Sequence, residues 1–314
     1  MSRALLVIAG PTASGKSRLA RAVAEAMDGV VINADSMQVY RELEILSARP
    51  GPEDMARAPH RLYGVLPAAE PCSAARWRDM ATREIAAARK AGRLPILVGG
   101  TGLYLKALLE GLVPLPEIPP SVRARARALH ARLGGAAFHA ELGRRDPEIA
   151  ARLDPGDSQR LIRAFEVIEA TGRSLAEWQR EAGAGPALDL DYAAVVLRPP
   201  RAALYAACDQ RFLAMVERGA LAEVKALYEL ELDPELPAMK AVGVAELGRH
   251  LSGELTLDQA VALAQRSTRH YAKRQLTWFR HQLPGAEIFK AQYSECLRPK
   301  IFSFIRLFLL TVNG

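Results

Sequence analysis

The N-terminal third of the chain alternates short apolar runs with amphipathic stretches. Ala4–Ala9 is apolar throughout, as in a strand covered on both faces. Ser17–Met27 places Leu19, Val23 and Met27 at helical spacing, and Val30–Asn33 reads as a second buried strand. Trp77–Ala91 predicts a helix. Pro95–Val98 predicts another strand, running into Gly99-Gly100-Thr101-Gly102 and a helix over Leu103–Leu109. A late strand, Ala193–Leu197, is followed by Pro199-Pro200 and a helix from about Ala202. Strands separated by helices predict a parallel α/β sheet flanked by helices.

A different texture interrupts this pattern. Pro114, Pro116, Pro119 and Pro120 form a rigid segment, and the chain beyond reads as helical. Ser121–Leu133 carries Arg123, Arg125, Arg127 and Arg132 with no acid among them. The expected organisation is a core of residues 1–115 and 191–295, a helical insertion over 116–190, and an apolar tail over 296–314. Ile301–Val312 is shorter than a membrane span and broken by Arg306, so the tail is expected to form a helix that packs on the core or on a partner.

Composition narrows the class. Of the 314 residues, 50% are hydrophobic and 25% charged, ordinary for a folded domain. Cys72, Cys208 and Cys296 have no paired spacing, which argues against a disulfide framework or a zinc site. That usage favours a reducing compartment, and no charged leader precedes Ala4, so the expected localisation is cytoplasmic with no membrane association; a monomer is expected. The formal charge of +7 favours an anionic partner.

Gly10-Pro11-Thr12-Ala13-Ser14-Gly15-Lys16-Ser17 fits the G-x-x-x-x-G-K-[ST] phosphate loop, and it lies between a strand and a helix as that loop must. Glycines let successive amides turn around phosphate oxygens, and the helix N-terminus adds partial positive charge. Lys16 supplies a point charge and Ser17 a hydroxyl for Mg²⁺. The fold class is therefore a P-loop NTPase-like parallel sheet with a helical insertion. A small-molecule kinase would use the loop for ATP, but would want a metal-binding acid after a second buried strand. Pro95–Val98 ends in glycines and a threonine instead.

Asp35 follows the second strand, at the sheet edge where α/β sites collect. It fits equally a turn or cap residue and a general base. Near the C-terminus, Arg266, Arg269, Lys273 and Arg280 fall within about sixty degrees of one another on a helix, opposite Tyr271, Ala272, Gln275 and Phe279. Arg266–His281 contains no acid, so this stripe reads as a surface for a phosphate backbone.

Taken together, Gly10–Ser17, Ile32–Tyr40 (INADSMQVY), Pro95–Leu105 (PILVGGTGLYL), Asp154–Val167 and Thr268–Arg280 (TRHYAKRQLTWFR) resemble the tRNA dimethylallyltransferases in kind and order over about residues 4–283. The resemblance implies transfer of a dimethylallyl group from dimethylallyl pyrophosphate to N6 of the adenosine 3′ of the anticodon, with Mg²⁺. It implies a general base at Asp35, with Lys16 and Thr101 also in the catalytic site and the pyrophosphate on Gly10–Ser17. The partner would be the tRNA anticodon stem-loop. Ser36, Met37 and Gln38 would line the adenosine's side, and Thr101 and Arg123 would contact the RNA. Gln159, Arg160, Leu161, Ile162 and Arg163 match a further RNA-contacting element, as do Lys240, Gly243, Arg274 and Gln275 with the late stripe.

The chain departs from the family at Gly243-Val244-Ala245-Glu246, over Ile45–Pro50 and at Pro59-His60-Arg61. None of these touches the phosphate loop or Asp35. An enzyme acting on free adenine nucleotides would have little use for the insertion or the basic stripe. A non-catalytic RNA-binding module would leave Lys16 and Asp35 without a role.

Overall fold

The computed structural model describes residues 3–181, 190–283 and 285–313. The chain runs β1 (Ala4–Ala9), α1 (Lys16–Ala26), β2 (Gly29–Asn33), α2 (Pro52–Arg57), β3 (His60–Arg61), α3 (Ala74–Lys90), β4 (Leu94–Gly99) and α4 (Gly102–Leu109). Four helices follow: α5 (Pro120–Arg145), α6 (Pro147–Ala150), α7 (Ser158–Thr171) and α8 (Leu175–Glu181). The chain then continues with β5 (Asp191–Leu197), α9 (Arg201–Glu217), α10 (Ala220–Tyr228), α11 (Val244–Leu251), α12 (Leu257–His281), β6 (Glu287–Phe289) and α13 (Arg298–Asn313). None of the described helices is long and apolar enough to cross a membrane.

Two compact units emerge, one within Met1–Leu109 and Pro186–Gly314, the other within Glu110–Gly185. The first is built on a six-stranded sheet in the order β3-β2-β4-β1-β5-β6, with every pairing parallel. Its central strand explains the unbroken apolar run at Ala4–Ala9. Leu5, Val7 and Ala9 enter the core beneath α3, α4 and α9–α12, while Leu6 and Ile8 enter the core beneath α1. Side chains alternate across a strand, so a strand covered on both faces needs apolar residues at every position. Ile301, Phe302 and Ile305 of α13 share the core of Leu6 and Ile8, so the apolar tail packs on the α1 side of the sheet. The loops that leave the C-terminal ends of β1, β2 and β4 carry the candidate site.

The second unit has its own core, in which Phe138 and Leu142 of α5 meet Leu161, Ala164 and Phe165 of α7. Helix α5 is interrupted at Gly134, whose φ of 74° is left-handed. Asp157 caps α7 by accepting the Arg160 amide.

Candidate active site

The phosphate loop leaves β1 and ends at Gly15, whose φ of 87° turns the chain into α1. A Cβ at Gly15 would lie 2.9 Å from Cβ of Tyr293, so a side chain there would collide with the segment behind the loop. That segment also donates the Tyr293 amide to the Ser14 carbonyl at 3.0 Å and the Gln292 side chain to the Ala13 carbonyl at 2.9 Å. Lys16 is half-buried and folds back to donate to the Pro11 carbonyl at 3.3 Å. Burial brings the Lys16 ammonium down to about 8; Asp35 opposes that shift and Arg211 adds to it. The Ser17 hydroxyl, in the first turn of α1, has no hydrogen-bond partner among the described residues.

The Asp35 turn is built by its neighbours. The buried Asn33 accepts the Asp35 amide on Oδ1 at 2.8 Å and donates through Nδ2 to the carbonyls of Asp35 and Leu62. Asp35 Oδ1 accepts the Met37 amide at 2.9 Å. The turn reading of this residue is thus correct for one oxygen, while Oδ2 has no hydrogen-bond partner among the described residues. Thr101 donates its amide to the Ala34 carbonyl, and its Oγ1 accepts the Ser36 amide at 2.9 Å. The hydroxyl therefore ties the Asp35 turn rather than capping α4.

Two further side chains complete the constellation. Arg211 of α9 donates to Thr12 Oγ1 in the phosphate loop, and burial pulls its guanidinium below the usual value while Asp35 works to restore it. Tyr271 of α12 has a hydroxyl pushed up by burial and by Asp35, and it lies within hydrogen-bonding reach of Thr101. One carboxylate thus acts on Lys16, Arg211 and Tyr271 together. Arg211 lies in no local motif, although its helix carries a sign of it. Leu204, Cys208, Phe212 and Met215 form the buried stripe of α9, and Arg211 falls within that stripe at helical spacing.

Several residues with an expected RNA contact are occupied elsewhere. Gln275 is 5% exposed: Oε1 accepts the Thr12 amide at 2.8 Å and Nε2 donates to the Gly100 carbonyl at 2.9 Å. Both polar atoms of its side chain are thus engaged within the sheet unit. Gln38 is buried and donates to the carbonyls of Ser47 and Ala48. Gly243 is buried with φ 100° as the residue before α11, and its amide donates to Glu246. Leu161 is fully buried in the helical unit's core, and Ile162 packs against the same core.

Arg269 is half-buried and paired with Asp209 of α9 at 2.6 Å, so the stripe that lacks an acid in sequence receives one from a neighbouring helix. Arg266, Lys273, Arg274 and Arg280 are exposed, with Arg274 above the Tyr271 ring. Lys240 is exposed and pairs with Glu235 at 2.8 Å. Ser36 and Met37 are half-buried beside Asp35. In the helical unit, Arg123 and Gln159 are exposed; Arg160 is exposed beside Asp157, and Arg163 pairs with the buried Glu166.

Known proteins resemble this chain over nearly its whole length. The family model described as IPP transferase matches residues 38–282, and that of isopentenyl transferase matches residues 3–66. A tRNA dimethylallyltransferase of Paramagnetospirillum magneticum is 60% identical over 306 residues, covering 98% of this chain and 97% of the relative. One from Rhodospirillum rubrum is 58% identical over 314 residues, covering 99% and 96%. Among solved structures, a tRNA isopentenylpyrophosphate transferase from Bacillus halodurans superposes with a TM-score of 0.71 at 33% identity, covering 99% of this chain and 98% of that one. A eukaryotic dimethylallyltransferase acting on tRNA gives 0.83 at 27% identity, covering 99% and 80%. With identity this high over nearly the whole length, and with phosphate loop and carboxylate turn both in place, the chain belongs to the tRNA dimethylallyltransferases of the IPP transferase family.

Proposed function

We infer that this chain transfers a dimethylallyl group from dimethylallyl pyrophosphate to N6 of the adenosine 3′-adjacent to the anticodon of tRNA, releasing pyrophosphate. The observation that carries this reading is the Asp35 carboxylate within electrostatic range of Lys16 and of Arg211, the latter bound to Thr12 of the loop. Adenine N6 is a weak nucleophile because its lone pair is delocalised into the ring. As that lone pair attacks the allylic C1, the C1–O bond breaks and its electron pair leaves with pyrophosphate. The N6 proton passes to Asp35, whose Oδ2 is free to receive it while Oδ1 is held by the Met37 amide. In this reading Lys16, Arg211 and the loop amides, which meet at Pro11 and Thr12, hold the charge that develops on the leaving group.

Ser17 fits a divalent ion, Mg²⁺ in this reading, because its hydroxyl lies at the loop's end with no protein partner among the described residues. The donor's own oxygens and water would supply the other ligands. Such an ion would offset diphosphate charge as the bond breaks. The loop would hold the donor's phosphates, and ATP would not be consumed. A phosphotransferase acid at the end of β4 is sterically barred: a Cβ at Gly99 would lie 2.0 Å from the Ala34 carbonyl oxygen.

On the RNA side, Ser36, Met37, Thr101, Arg266, Lys273, Arg274 and Arg280 are the contacts this reading retains in the sheet unit. Arg123, Gln159, Arg160 and Arg163 are those of the helical unit. The test is incubation with dimethylallyl pyrophosphate, Mg²⁺ and unmodified tRNA, followed by mass analysis of the nucleosides. A dimethylallyl adduct on adenosine is expected, and its absence under saturating substrates would overturn the reading.

A further inference from the structure

The donor loop and the Asp35 turn stand on different strands, yet transfer requires a fixed separation between them. Strands β1 and β4 pair in parallel up to Ala9↔Gly99. Beyond that pair the ladder has ended, and the two chains become the phosphate loop and the turn before α4. One side chain spans them there. Gln275 accepts the Thr12 amide at 2.8 Å and donates to the Gly100 carbonyl at 2.9 Å, both bonds buried. The amide supplies an acceptor and a donor on two separate atoms at the end of one side chain: a carboxylate would only accept, and a thioether of similar length would do neither usefully.

The surroundings are fitted to this link. A Cβ at Gly100 would lie 2.1 Å from Gln275 Nε2, so any other residue would push the amide away. One turn on, a Cβ at Gly102 would lie 2.2 Å from the Trp278 ring, so α12 presses on the same turn twice. Thr12 is held at both polar groups, its amide by Gln275 and its hydroxyl by Arg211. From Gly100 the chain passes to Thr101, whose Oγ1 accepts the Ser36 amide next to Asp35.

We propose that Gln275 is a positioning residue for the transfer: its amide sets the separation between the donor's leaving group and Asp35, so that N6 rather than water captures the allylic carbon. This rests on the prenyl-transfer reading above. In transfer, C1–O breaks, N6–C1 forms and the N6 proton goes to Asp35. In the leak, the same C1–O bond breaks, a water oxygen bonds to C1, a water proton goes to solvent, and dimethylallyl alcohol and pyrophosphate result. A misalignment on the order of 1 Å costs roughly a hundredfold in such positioned reactions. Water, being small and mobile, does not share that loss.

The experiment compares wild type, Gln275→Met and Gly100→Ala, measuring pyrophosphate released and prenyl groups fixed on tRNA in the same reaction. The ratio of the two is the readout, because loss of folded protein lowers both equally. Wild type should release about one pyrophosphate per transfer. Both variants should transfer roughly ten- to a hundredfold more slowly and release several pyrophosphates per transfer, with tRNA affinity within about twofold. If Gln275→Met gives no cooperative thermal transition, Gly100→Ala decides, since it leaves Gln275 in place and its Cβ meets the amide first, at 2.1 Å, ahead of the Gly10 carbonyl oxygen at 3.2 Å. Wild-type transfer with the wild-type ratio in every folded variant overturns the positioning role alone. No transfer by wild type overturns the prenyl-transfer reading, and this role with it.

Discussion

At the level of single residues, the two oxygens of Asp35 are committed differently. Oδ1 accepts the Met37 amide at 2.9 Å, and Oδ2 has no partner among the described residues. Asp35→Asn can keep the first contact but cannot take a proton. It should leave tRNA affinity nearly intact and lower the single-turnover rate by roughly a hundredfold or more. An unchanged rate would assign Asp35 to the turn alone. Lys16 makes a pH prediction of definite sign. With its ammonium at about 8, the free enzyme loses that charge as pH rises through 8. Donor kcat/KM, which reports the free enzyme, should therefore fall above about pH 8, and Lys16→Arg should move the fall to higher pH because guanidinium stays charged. Superimposable profiles would remove Lys16 from the titration. Lys16 and Asp35 were legible because each lies in a local motif. Arg211 was not read, because it reaches the loop from a helix remote in sequence. Its place within the apolar stripe of α9 was the available sign: a buried cation without an acid beside it needs a partner from elsewhere.

The elements themselves were largely visible as hydrophobic periods, yet a period gives a face and not what the face meets. Helix α12 illustrates this. Ala272, Gln275 and Phe279 are buried as the pattern implies, but Gln275 spends its amide on two loops rather than on RNA. Tyr271, placed on that same buried side, is half-buried within reach of Thr101. Arg269 lies within the basic stripe by angle, and Asp209 of α9 neutralises it. No feature of residues 266–281 could reveal that acid, since it belongs to another helix. The expected consequence is a division of labour along one stripe. Arg269→Ala should cost about 1 kcal/mol of stability through the lost half-buried pair, and should change the salt slope of tRNA binding by well under one. Lys273→Ala should do the reverse, leaving the unfolding midpoint in place and reducing the slope by about one. Denaturant titration and binding across a salt series measure the two effects separately, and equal slopes for both variants would contradict the assignment.

For the whole molecule, the question is whether RNA affinity follows the formal charge of +7 or particular surfaces. Each unit exposes arginines and lysines that no acid pairs among the described residues: Lys273 and Arg280 on α12, and Arg123 and Arg127 on α5. Others are matched, as Arg144 and Arg145 are by Glu141. An unmatched cation that lies on a phosphate releases a counterion on binding, whereas a cation already paired with a carboxylate has little to release. Neutralising Lys273 and Arg280 together should reduce the salt slope by about two, and neutralising Arg123 and Arg127 by about two again. Because the two pairs belong to separate units with separate cores, their effects should add to about four in the quadruple variant. Neutralising Arg144 and Arg145 removes as much formal charge as either pair, yet should leave the slope almost unchanged. Donor KM should stay within about twofold throughout, since the donor site rests on Lys16 and Arg211. A slope that instead tracked net charge, with the Arg144–Arg145 variant falling as far as the others, would mean that the basic excess acts as a diffuse field and that neither surface is a specific contact for tRNA.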